Sequence, residues 1–140
     1  MQVREVMSKD VKVASPNDSI EKAANLMDEA DCGALPVGEN DKLVGVVTDR
    51  DITLRAVARG KSPNKCTVRE VMSSGIKYVF DDETTEAAAQ SMSKLQVRRL
   101  PVVNRNKRLV GIVALGDLAT KHDGPVAGSA LKEISRPHGA

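Results

Sequence analysis

The 140-residue chain is nearly free of aromatic side chains, with one Tyr, one Phe and no Trp. A platform for single-stranded nucleic acid built on stacked rings is hard to assemble from that inventory. No apolar run approaches the roughly 20 residues needed to cross a bilayer. The charged start, MQVREVMSKD, lacks the apolar centre of a signal peptide. No membrane association is expected, and the cytoplasm is the expected compartment. There are only two cysteines, Cys32 and Cys66, with no C-x-x-C spacing, and two histidines, His122 and His138. These four groups form neither a disulfide framework nor a zinc-type constellation. A Gly-rich phosphate loop ending in Lys-Ser/Thr is absent, as is a nucleophile with a His base, so no catalysis is expected. With 21 Lys+Arg against 19 Asp+Glu, the net charge is only +2 and implies no large polyanionic partner.

What the chain does contain is itself, twice. VREVMS at residues 3–8 recurs letter for letter at 68–73. In that register KVASPNDSIEKAANLM aligns with KYVFDDETTEAAAQSM, CGALPV with VRRLPV, and KLVGVVTDRDI with RLVGIVALGDL. The offset is 65 until one extra residue in a turn makes it 66. GKSPNKCT, with Gly, Pro and Asn, joins the copies. The expected organisation is a first repeat over residues 1–60, a linker at 61–67, a second repeat over 68–122 and a tail at 123–140.

Each copy shows the same order of elements. A short β run (residues 11–14 and 77–80) leads to a capping signal and a helix. The helix carries apolar residues at helical spacing: Ile20, Ala23, Ala24 and Met27 in one copy, Ala88, Ala89, Met92 and Leu95 in the other. A brief strand follows, ALPV or RLPVV, then a polar turn, a continuously apolar strand (LVGVV or LVGIV) and a second helix, which ends near Gly60 in the first copy. That is β-α-β-β-α, twice, an α+β fold. A unit of this size buries little surface alone. Two copies docked by their sheets about a pseudo-twofold axis would share one core, with paired grooves along the seam.

Two such units, each with an L-P-V strand and a strand-to-helix junction ending in Asp, resemble a tandem of cystathionine β-synthase (CBS) domains, a Bateman module. The resemblance covers roughly residues 1 to 122 and is carried by the internal repeat and both junctions. It implies a regulatory module that requires no cofactor, catalyses nothing and binds AMP, ADP, ATP, adenosylmethionine or NAD between the repeats. The implied partners are an unidentified protein regulated in trans and a second copy of the chain, since modules of this family often pair into flat dimers.

The family pattern also assigns residues. The junction hydroxyl and Asp hold the ribose, the first strands of the other repeat border the adenine, and basic residues before L-P-V take the phosphate. One cleft then draws on Thr48, Asp51, Ile76, Tyr78, Val97, Arg98 and Arg99. The other draws on Val11, Val13, Gly33, Ala34 and Asp117, with Ala114 in place of the hydroxyl and no charge at Cys32, Gly33 or Ala34. The first is the better equipped for a nucleotide; the second is weaker, or suited to adenosine itself.

Simpler roles stand beside these. Thr48 and Asp51 have the spacing of a helix capping box. Asp117 persists without the hydroxyl, which would leave a purely capping acid only the modest benefit of the helix dipole. Arg98, Arg99 and Arg50 fit a solvated face, and Met7 and Met72 fit packing at the repeat entrances. An interaction scaffold with vestigial clefts is the competing function. A nucleic-acid surface along residues 98–108 has no support from the overall charge.

Overall fold

The structure, a computed structural model, describes residues 1–121, 128 and 131–135. His122, His138 and most of the expected tail lie outside the described residues. The chain divides into two compact units, one formed by residues 12–76 and the other by residues 1–11 together with those from 77 onward.

In the unit of residues 12–76, helix α1 spans Ile20–Ala30. It starts where the Ser19 hydroxyl accepts a hydrogen bond from the Lys22 N–H, and it ends on Asp31 in the left-handed region (φ 51°). Its buried face is Ile20, Ala23 and Met27. Ala24, expected on that face, is exposed, because the stripe leans toward the half-buried Leu26 instead. Strands β1 (Ala34–Glu39) and β2 (Lys42–Thr48) pair antiparallel. Their two-residue turn holds Asn40 and Asp41 at φ 55° and 65°, the left-handed pair that a tight hairpin requires. Helix α2 (Asp49–Arg55) and a 3-10 turn (Val57–Arg59) follow, stopping at Gly60 with φ 72°. A short helix, α3 (Val68–Val71), completes the unit.

The second unit repeats the plan with one more strand. Strand β3 (Val79–Phe80) runs parallel to β4 (Arg99–Val103), which pairs antiparallel with β5 (Leu109–Ala114). Helix α4 (Thr85–Leu95) is capped by the Thr84 hydroxyl, and α5 covers Leu115–Lys121. A 3-10 turn at Val3–Glu5 brings in the N-terminal segment.

The first β run of each copy is shorter than expected. Only Ala14 bridges β1 in the first copy, and the second begins at Val79 rather than residue 77. The Ala14 N–H donates to the Pro36 carbonyl and the Ala14 carbonyl accepts from the Gly38 N–H. The next ladder bond toward residue 12 would need an N–H on Pro36, which has none. Pro101, one residue before the Val102 partner of Val79, imposes the same stop.

The VREVMS segments explain the glycines of the apolar strands. Ser73 exchanges backbone hydrogen bonds with Val46 (3.0 and 2.9 Å), and Ser8 does so with Ile112 (2.8 and 3.0 Å). A Cβ on Gly45 would lie 2.9 Å from both the Ser73 carbonyl oxygen and the Met72 sulfur. On Gly111 it would lie 2.7 Å from the Ser8 oxygen and the Met7 sulfur. Each segment therefore lies against the hairpin of the other sequence copy, at a seat that only glycine allows. Each unit encloses a hydrophobic cluster of its own. One is built on Ile20, Leu35, Val37, Val47, Val68 and Val71. The other is built on Val3, Val79, Met92, Leu100, Val113 and Leu118.

Candidate functional site

The β2–α2 junction is a complete capping box. The Asp51 N–H donates to Thr48 Oγ1 (3.0 Å), and the Thr48 N–H donates to Asp51 Oδ2 (3.0 Å). Asp51 Oδ1 lies 3.9 Å from Arg55 Nε, one turn on, and the Asp51 side chain is only 14% exposed. The Arg55 guanidinium also donates to the Val71 carbonyl (2.9 Å), at the end of α3. The carboxylate is thus fixed from two sides, and its cation is tied to the VREVM segment.

The β5–α5 junction keeps most of this arrangement. The Ala114 N–H donates to Asp117 Oδ2 (2.9 Å), Lys121 Nζ sits 3.4 Å from Asp117 Oδ1, and Lys121 Nζ donates to the Val6 carbonyl (3.2 Å). Asp117 therefore has a full structural role without a hydroxyl at position 114: it satisfies an orphan N–H of the helix start. This corrects the expectation that capping would leave it only a dipole benefit. Arg55 and Lys121 were missed as partners. The signal was present in the sequence, because a cation follows each junction Asp by four residues.

The remaining expected residues divide between the units. Ile76 is half-buried, and its N–H donates to the Ser74 carbonyl. Ala34 opens β1 opposite Thr48. The exposed Val13 packs a methyl group against Gly38. The Gly33 carbonyl accepts from the Asp49 N–H (2.9 Å), and a Cβ on Gly33 would lie 2.8 Å from Asp49 Oδ2. In the other unit Val11 and Val97 are half-buried, and Val97 packs on the core. Arg98 and Arg99 are exposed, and neither pairs with an acid among the described residues. The Leu115 N–H donates to the Arg98 carbonyl (2.8 Å), matching the Asp49–Gly33 bond.

Tyr78, 37% exposed, meets Phe80 edge-to-face at 5.6 Å, so the one Tyr and the one Phe of the chain are neighbours. Arg105 covers the Phe80 ring at 4.0 Å and forms two 2.8 Å hydrogen bonds to Asp82. These bonds hold the Asp82 carboxyl below its ordinary range. The basic stretch 98–108 is not one strip. Arg99 sits at the end of the hairpin opposite Ala114, whereas residues 104–108 form the turn at the other end. Cys66 is buried, which pushes its thiol up. Among the described residues no group of three His, Cys, Asp or Glu could hold a metal, and no helix is long and apolar enough to cross a membrane.

Residues 3–57 and 68–123 each match the family described as the CBS domain. The CBS domain-containing protein YhcV of Bacillus subtilis (strain 168) is 46% identical over 134 residues, covering 95% of this chain and 94% of its own. Among solved structures, Hypoxic Response Protein I with two coordinated zinc ions is 38% identical with a TM-score of 0.77, covering 85% of this chain and 97% of that one. The CBS domain pair of protein MJ0100, in complex with 5′-methylthioadenosine and S-adenosyl-L-methionine, is 33% identical with a TM-score of 0.73, covering 85% and 93%.

Proposed function

The chain belongs to the CBS domain family, with two CBS domains in tandem, and from that premise we propose that it is a regulatory sensor of adenosine-containing ligands, acting in trans on a protein partner without catalysis of its own. The observation that carries this reading is the MJ0100 pair, which holds two adenosyl compounds on the same fold. The chemistry of the junction supports it. A ribose presents vicinal hydroxyls that can donate to one carboxylate, and a carboxylate has about four acceptor positions. Asp51 spends one on the Thr48 N–H and faces Arg55 with another. It is pre-positioned, with capacity to spare.

In this reading Thr48 and Asp51 take the ribose, Ile76, Tyr78 and Val97 border the base, and Arg98 and Arg99 take the phosphate of AMP, ADP, ATP or NAD. The second set, Val11, Val13, Gly33, Ala34 and Asp117, accepts a less charged adenosyl compound. The output is a ligand-dependent change in partner affinity, which requires the ligand to favour one of two states of the module.

Thermal shift tests the reading cheaply, because a ligand bound to the folded state alone raises the melting temperature. A saturable rise with AMP, ATP, NAD or adenosylmethionine is expected. Asp51→Ala should weaken the responding ligand about ten- to hundredfold, from the loss of roughly 1.5–3 kcal/mol. Unchanged affinity with an intact circular dichroism spectrum sinks the role of Asp51.

The second reading is a homodimeric interaction scaffold with idle ligand sites. It is favoured by the exposed Leu54 and Val57, 45% and 62% accessible, and by Ala114 in place of the hydroxyl. No thermal shift at millimolar ligand, together with a dimer in native mass spectrometry, decides for it.

A further inference from the structure

The two units carry opposite charge at one equivalent seat. In each, the residue two before L-P has its carbonyl bonded to the N–H that opens the following helix: Gly33 to Asp49 at 2.9 Å, and Arg98 to Leu115 at 2.8 Å. The seat is Gly/Asp in one unit and Arg/Leu in the other. The carboxylate of Asp49 occupies the space where a side chain at position 33 would begin, with Oδ2 2.8 Å from the Cβ position. Its other oxygen accepts a hydrogen bond from the Arg50 N–H (2.8 Å), which fixes the direction of the group. No cation pairs with Asp49 among the described residues. Its neighbours at Cys32, Gly33 and Ala34 bring no compensating charge.

We propose that Asp49 is a charge filter for the residue set containing Gly33 and Ala34, rejecting phosphorylated adenosines and admitting neutral or cationic adenosyl compounds such as adenosine, thioadenosines or the adenosylmethionine sulfonium. This rests on the reading that Gly33 and Ala34 border a ligand, and it adds a residue outside both expected sets. A fixed carboxylate repels a phosphate dianion and attracts an onium centre. Because Asp49 is exposed, salt screens the effect. A guanidinium installed at position 33 would meet the carboxylate at once, so the two seats represent alternative chemistries.

The test uses the full-length chain carrying Asp51→Ala, which weakens the phosphate-accepting set, titrated calorimetrically with adenosine and with AMP at low salt. Adenosine should bind about tenfold more tightly than AMP. Adding Asp49→Asn, which keeps an acceptor for the Arg50 N–H, should reduce that preference to about threefold or less, and added salt should reduce it only while Asp49 is present. Asp49→Ala provides the same readout if the Asn variant fails to fold. Glu21→Gln, a carboxylate removed at the start of α1, should leave the ratio as it was. An adenosine-to-AMP ratio that survives the loss of Asp49 overturns the filter alone. Absence of binding of either compound to the unmodified chain, with no thermal shift, overturns the sensor reading and the filter with it.

Discussion

Asp51 carries a structural duty and a proposed ligand duty on one carboxylate, so its substitutions separate by chemistry. Asp51→Ala removes the acceptor for the Thr48 N–H and should cost about 1 kcal/mol of stability as well as binding. Asp51→Asn keeps an acceptor but loses the charge that a ribose clamp and Arg55 use. Denaturant melts and ligand titrations of the two variants should therefore diverge, with the Asn form nearly as stable as the parent yet impaired in binding. Arg55→Gln, which withdraws the donor to the Val71 carbonyl, should lower stability by about 0.5–1.5 kcal/mol. At Asp82 the effect is one of pH. The Arg105 hydrogen bonds hold its folded-state pKa below the ordinary 3.8. A depressed acid stabilises the fold above its unfolded pKa and loses that contribution as pH falls through the folded value. Asp82→Asn should therefore flatten the fall of melting temperature between about pH 5 and 3. The Thr48–Asp51 pairing was visible in the sequence, because a capping box is local. The same locality misled at position 117, where the missing hydroxyl hid a backbone donor that no sequence prints.

Among the elements, the hairpins and the helices α1 and α4 could be read from periodicity and turn residues, since each is decided within a dozen positions. The truncation of the first β runs follows from Pro36 and Pro101, whose L-P-V context marks the strand they sit in and not the limit they set on its neighbour. Gly45 and Gly111 were the least transparent. In an apolar strand a glycine looks like a weakness, and its reason is a serine carbonyl that arrives from 28 or 103 positions away (73 − 45 and 111 − 8). Gly45→Ala and Gly111→Ala should each destabilise the chain by about 1–3 kcal/mol, because the atom met is backbone and cannot rotate aside. Chemical denaturation measures this. Ala at the exposed Gly75, which has nothing within 4 Å, serves as the control.

For the whole molecule, the repeat that the sequence displays and the unit that packs are different objects. A fragment of residues 12–76 retains all of its hydrophobic cluster, α3 included. A fragment of residues 1–60 loses Cys66, Val68 and Val71 from that cluster and carries Val3 and Val6 without their partners. The first should unfold cooperatively in a thermal melt monitored by circular dichroism, and the second should show no sharp transition. Similarity between the copies revealed the two halves at once. It could not reveal the exchange of their entrance segments, because identical VREVMS strings fit either hairpin equally well.

That exchange also sets an order of assembly. The bridge from Val46 to Ser73 spans 27 residues (73 − 46), whereas that from Ser8 to Ile112 spans 104 (112 − 8). As the chain leaves the ribosome, the hydrophobic cluster of residues 12–76 is complete well before Ser8 can meet Ile112. The Val3 and Arg4 N–H groups donate to the Glu83 and Asp81 carbonyls, whereas Ser8 must wait until strand β5 emerges. The short-range unit is thus positioned to fold during synthesis, and the unit closed by the Ser8–Ile112 bridge forms last, at the slower rate that a long loop imposes.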